Sequence, residues 1–204
     1  MTITRRSIFR LAVVALTAAA VAAPVLAQDL HPSRRKSPLG SASVLLDDAY
    51  VLLVYGRPYK RERDNIFGTK ESGAVVPYGE RWRTGANEAT EIAIGKDVTI
   101  GGKKLAAGIY SVTTKPGADK WTIHFNSQLG LDGTGRFDRV AQKFTPADLD
   151  KTDVLVVEAK PAAIPADKEE VDQLTIEFEK SATGADMVLT WIRTEVRVPF
   201  ARAK

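Results

Sequence analysis

The chain has 204 residues and an apolar fraction of 44%, enough to bury one sizeable core without disulfides or metals. Arg5, Arg6 and Arg10 supply most of the formal charge of +4: of 29 basic residues, 26 lie beyond residue 27 against 25 acidic ones, and that balance gives no electrostatic footprint for nucleic acid. The absence of cysteine excludes disulfides, thiol chemistry and lipoprotein acylation.

The N-terminus has the form of an export signal. Thr4 to Arg10 is a charged segment, Leu11 to Val21 an alanine-rich apolar run, and Val25-Leu26-Ala27 offers small residues for cleavage, so residues 1–27 are predicted to be a signal peptide. The paired Arg5-Arg6 followed by apolar residues resembles a twin-arginine signal. Leu11 to Ala27 is only 17 residues with Pro24 inside it, short of the roughly 20 that span a bilayer. No later segment is longer, so the processed protein is expected to be periplasmic or secreted and not membrane-spanning.

Residues 28–41, rich in Pro, Arg and Lys, read as a flexible leader, and 42–204 as a single domain. Ala42 to Leu46 and Ala49 to Tyr55 are β-rich runs around an Asp47-Asp48 turn, and Arg57-Pro58 ends the second. Tyr59 to Gly73 reads as a loop with one apolar anchor, Ile66-Phe67; its charge run from Lys60 to Asp64 reads as a solvated face. Thr90 to Ile94 alternates with period 2. Val98 to Ile100, Ile109 to Thr114 and Trp121 to Asn126 follow, separated by Gly and Pro turns. From Ser127 to Lys151 periodicity fades, and Pro146 to Leu149 can open at most one helical turn. Val154 to Lys160, Leu174 to Glu179, Met187 to Trp191 and Thr194 to Phe200 complete the set. The prediction is an all-β, antiparallel β-sandwich of about nine or ten short strands.

The chemistry is concentrated between Val76 and Glu91. If Gly79 to Thr84 is extended, Glu80, Trp82 and Thr84 share one face and Arg81 and Arg83 the other. Gly85 permits a bend, after which Asn87 and Glu88 present an amide and a carboxylate. An arginine fork beside these groups can bind an anionic or hydroxyl-rich ligand bidentately, with Tyr55, Tyr59 and Tyr78 as flanking rings. Three roles fit: a structural network, a ligand site, or catalysis with Glu88 as general acid or base. Catalysis on glycans asks for a second carboxylate roughly 5–10 Å away, with Glu80 and Glu91 as candidates.

Elsewhere the sequence offers little. His31 lies in the leader, and His124 has the opposite parity from the apolar residues of its strand, as a solvent-facing histidine would. Two histidines and no cysteine leave zinc and copper without their usual ligands, and no metal or cofactor is predicted. Gly130 to Gly135 lacks a phosphate-loop context, and with Asp132 and Asp138 it resembles a calcium loop in composition only.

Tyr55-Gly56-Arg57-Pro58, Ile66-Phe67-Gly68, the whole run Val76 to Thr90, Gly102 to Leu105 with Ala107 to Tyr110, Trp121-Thr122-Ile123 and Asp153-Val154-Leu155 together resemble the secreted bacterial family DUF2911, a domain of unknown function. The resemblance implies an exported, largely β domain with no established activity. The segment from Lys60 to Phe67 is one residue longer than the family's usual pattern, and Gln128 to Asp150 is also longer. The function carried forward is a non-catalytic envelope binding module for a carbohydrate or small anionic ligand. Its candidate residues are Arg57, Tyr78, Trp82, Arg83, Asn87 and Glu88. The alternatives are a glycan hydrolase or lyase using Glu88 and a structural or assembly protein of the envelope.

Overall fold

The computed structural model describes residues 34–204, so the predicted signal peptide and leader residues 28–33 lie outside the described residues. β1 (Leu39–Leu46) and β2 (Ala49–Gly56) form the expected hairpin, with Asp47 turning the chain at φ 53°. β1 starts before Ala42 because Leu39, Gly40 and Ser41 pair with Gly56, Tyr55 and Val54. These three residues are therefore strand, not leader.

β3 (Phe67–Gly68) and β4 (Val76–Pro77) make a short parallel pair. β5 (Thr90–Ile94) and β6 (Val98–Ile100) follow, and Gly101-Gly102 turns into β7 (Lys103–Leu105). Then come β8 (Gly108–Lys115) and β9 (Trp121–Asn126). β10 (Gly135–Asp138) and β11 (Lys143–Pro146) form a hairpin where the sequence shows no periodicity, and a 3-10 turn spans Leu149–Lys151. β12 (Asp153–Ala159), β13 (Pro161–Ala163), β14 (Val171–Ser181), β15 (Gly184–Ile192) and β16 (Thr194–Arg202) close the chain. Ten of these sixteen strands are the ten runs read from the sequence; the other six have two to four residues and, unlike the three-residue β6, no clear turn signals on both sides to mark them.

The fold is all-β, with two six-stranded antiparallel sheets beside the small β3–β4 and β10–β11 pairs. The first sheet runs β1-β2-β5-β8-β9-β12, and the second runs β14-β15-β16-β6-β7 with β13 beside β16. One buried cluster joins them: Leu53, Ile92, Val112 and Phe125 from the first sheet meet Leu174, Ile176, Leu189, Val198 and Phe200 from the second. Phe125 and Phe200 touch across the layers with centroids 6.3 Å apart. Val196, Val198 and Phe200 all point inward, as their alternation predicts. Among the described residues no helix is long and apolar enough to cross a membrane.

The end of β2 and the segment after it seal the β14 edge. The Tyr55 hydroxyl accepts from the Ile176 N–H at 2.7 Å and donates to the Ile176 carbonyl at 3.1 Å. Leu174 N–H donates to the Pro58 carbonyl, Lys60 N–H donates to the Asp172 carbonyl, and Arg57 Nε donates to the Leu174 carbonyl. A row of backbone groups that would otherwise template foreign strands is thus occupied.

Candidate functional site

Trp82 is fixed by its backbone. Its N–H donates to the Thr114 carbonyl at 2.7 Å and its carbonyl accepts from Thr114 N–H at 2.9 Å, so residues 81–83 prolong the β5 line beside β8. The indole turns inward and stacks on Trp191, with centroids 6.1 Å apart and planes 15° from parallel. Phe67 and Trp121 meet it edge-on. Offset and edge-to-face packing of this kind adds to the burial of the rings.

The chain then turns back tightly. Thr84 and Asn87 take φ of 55° and 64°, Ala86 N–H donates to the Gly56 carbonyl, and the Thr90 hydroxyl donates to the Thr84 carbonyl. Gly56 is indispensable to this approach: a Cβ there would lie 2.0 Å from the Ala86 carbonyl oxygen. The tight turn directs Arg83 and Asn87 toward one side.

That side is a cleft of about 460 Å³, lined by Lys36, Tyr59, Arg61, Arg63, Trp82, Arg83, Asn87 and Trp191 among others. Four cations and no carboxylate line it. Among the described residues their partners are carbonyl oxygens: Arg61 donates to Lys36, Arg63 to Lys60 and Tyr59, and Arg83 to Asn87. The Arg63 guanidinium also sits 6.0 Å over the Trp191 ring. Burial lowers the Arg83 pKa, yet an arginine starts so far above neutrality that it stays charged. Arg61, with φ of 54°, is a third strained non-glycine residue at the rim, the kind of conformation that clusters at functional sites.

The candidate residues fall into two groups. Trp82, Arg83 and Asn87 line the cleft; Arg57, Tyr78 and Glu88 do not. Arg57 is spent on β14, through the Leu174 carbonyl and the Thr175 hydroxyl. Tyr78 lies beyond the cleft, with its N–H on the Gly68 carbonyl. Glu88 is exposed, and Arg35 Nη1 bonds both its carboxylate oxygens at 2.6 and 2.7 Å. Glu80 pairs with Lys70, and Glu91 accepts from Gly130 N–H. Tyr55 is buried against Ile176, and that burial raises its pKa.

Lys36, Arg61, Arg63 and Trp191 were absent from the candidate set. Lys36 falls in the predicted leader, and Arg61 and Arg63 sit in the run that reads as a solvated face. Their density between Pro58 and Ile66 was the available signal.

Arg81 and Arg83 serve different surroundings. Arg81 Nη2 lies 2.7 Å from Asp153, which also accepts from Asn126 and His124. His124 is not solvent-facing, as the sequence suggested: it is 6% exposed, because Arg81 and the 149–153 segment cover that face of β9. Burial lowers its pKa, partly opposed by the Asp153 bond, so His124 is neutral at pH 7. Burial would raise the Asp153 pKa, but the bonds from Asn126, Arg81 and His124 outweigh it and hold the carboxylate ionised. Among the described residues no group of three or more His, Asp or Glu is placed to hold a metal.

Residues 37–200 match the family described as Protein of unknown function (DUF2911). The chain belongs to that family. The match spans both sheets and every cleft-lining residue of this DUF2911 protein except Lys36, which lies one residue before it. Neither the curated proteins nor the solved structures contain a significant match to it.

Proposed function

We propose that this DUF2911 protein is an exported, non-catalytic binding module that holds a small anionic ligand, such as an acidic sugar or sugar phosphate, in the cleft of Lys36, Arg61, Arg63 and Arg83. One observation carries the proposal: four cations converge on a site that no carboxylate lines and whose base is aromatic. Guanidinium forks suit carboxylate and phosphate oxygens, and Trp82, Trp191 and Tyr59 suit the apolar face of a ring. The export of the protein to the periplasm or beyond rests on the character of residues 1–27.

Calorimetric titration with glucose 6-phosphate, glucuronate, inorganic phosphate and glucose tests this. The anionic probes bind and glucose does not. Arg61→Ala and Arg83→Ala each weaken binding by about an order of magnitude or more, as loss of a charge-assisted hydrogen bond predicts. Binding of glucose alone, or anion binding indifferent to both arginines, would remove the proposal.

A further inference from the structure

Two donors of the cleft are already spent on the chain itself. Lys36 and Ser37 line the cleft, where Arg61 Nη2 donates to the Lys36 carbonyl at 2.8 Å and Asn87 Nδ2 to the Ser37 carbonyl at 3.1 Å. Arg63 and Arg83 bond instead to carbonyls three or four residues away in their own segments.

Residues 35–37 form a strap with one firm end. The Pro38 carbonyl accepts from Arg57 N–H at 2.8 Å, and from Leu39 onward the chain is paired as β1. Before Pro38 the strap is held to the domain by the side chains of Arg61, Asn87 and Glu88, whose carboxylate oxygens lie 2.6 and 2.7 Å from Arg35 Nη1. The Arg35 and Glu88 side chains are 23% and 49% exposed, and ion pairs placed so close to water hold weakly. A segment tied by side chains rather than by a strand ladder opens before the sheet does.

The strap carbonyls stand where the oxygens of an anion would. A carbonyl is a neutral acceptor, whereas a carboxylate or phosphate oxygen makes a hydrogen bond to guanidinium that is roughly twice as strong. Building on the anion-binding reading above, we propose that residues 35–37 are a built-in competitor for the cleft: the ligand takes Arg61 and Asn87 from the Lys36 and Ser37 carbonyls, and the strap swings away about Pro38. Glu88, which does not line the cleft, is the clasp that sets how often the strap is open. A competitor of this kind lowers the apparent affinity by the fraction of molecules that are open, so a change that opens the strap raises affinity by the same factor.

Limited trypsin digestion and calorimetric titration of the purified protein test this together. Trypsin cuts after Arg35 and Lys36 at a rate set by the open population, and mass spectrometry counts the products that begin at Lys36 and Ser37. Saturating glucose 6-phosphate should speed these cuts in the parent by more than about fivefold, and glucose should not. Glu88→Ala should speed them without ligand by about two- to fivefold and tighten glucose 6-phosphate binding by that same factor, with Tm within about 4 °C of the parent. Glu80→Ala, which breaks the exposed pair with Lys70, should change neither. Cuts that slow or hold steady as the ligand binds overturn the proposal, and so does a Glu88→Ala affinity equal to the parent's. Failure of the anion-binding reading looks different: neither the parent nor Glu88→Ala then binds glucose 6-phosphate, and the competitor falls with its site.

Discussion

Arg81 and Arg83, two residues apart, should respond oppositely to truncation. The Arg81 side chain is 11% exposed and reaches Asp153, 9% exposed, at 2.7 Å; its second partner, Asp150, is 71% exposed and adds little. Removing one member of a buried ion pair costs about 3–5 kcal/mol, because the other is left as an uncompensated charge. Asp153 keeps its bonds from His124 and Asn126, and Arg81 Nη1 is itself buried without a partner, so the lower end applies. At about 2–4 °C per kcal/mol for a domain of this size, Arg81→Ala should lower Tm by roughly 6–12 °C. Arg83 makes one bond, to the carbonyl of exposed Asn87, at about 1 kcal/mol net, so Arg83→Ala should lower Tm by no more than about 4 °C. Thermal unfolding of both variants beside the parent, followed by circular dichroism at constant pH and salt, reads the difference. Equal losses, or a larger loss at Arg83, would refute the division into a structural arginine and a cleft arginine.

Tyr55→Phe keeps the ring and its packing but strands the N–H and carbonyl of Ile176, at a cost of about 2–3 kcal/mol; a urea midpoint unchanged from the parent would show that the β14 edge does not depend on the hydroxyl. His124 has its folded pKa depressed, so the stability it contributes is complete above the ordinary histidine value of about 6.5 and is lost as pH falls through the lower folded value. His124→Gln should therefore flatten the fall of Tm with acid just below that pH, whatever it does to Tm at neutrality. An unchanged slope would place the acid sensitivity elsewhere.

Nine of the ten strands that were legible have five residues or more, enough for alternation or a β-rich run to show, and the three-residue β6 was marked by the turn residues on either side of it. The β10–β11 hairpin was not legible: both Phe137 and Phe144 are partly exposed and the tip is solvated, so no buried face imposed a period. Trp82, Arg83 and Asn87 could be picked out because turn chemistry and unusual side chains coincide there. Lys36, Arg61 and Trp191 come to the same cleft only through long-range pairing, such as the contact of Lys60 N–H with the Asp172 carbonyl, which local composition does not encode. His124 was assigned the correct side of its strand, but not the roof over it, since Arg81 arrives from a segment more than forty residues away.

The seal on β14 has a temporal consequence. Tyr55 and Ile176 are separated by 121 residues, so the hydroxyl that closes the edge is synthesised long before the backbone it closes. Contacts at such separation form late, because a long loop must be ordered before they repay it. Through that interval the unfinished second sheet presents an open strand to any neighbouring chain, and the hazard ends only when the two ends of the domain meet.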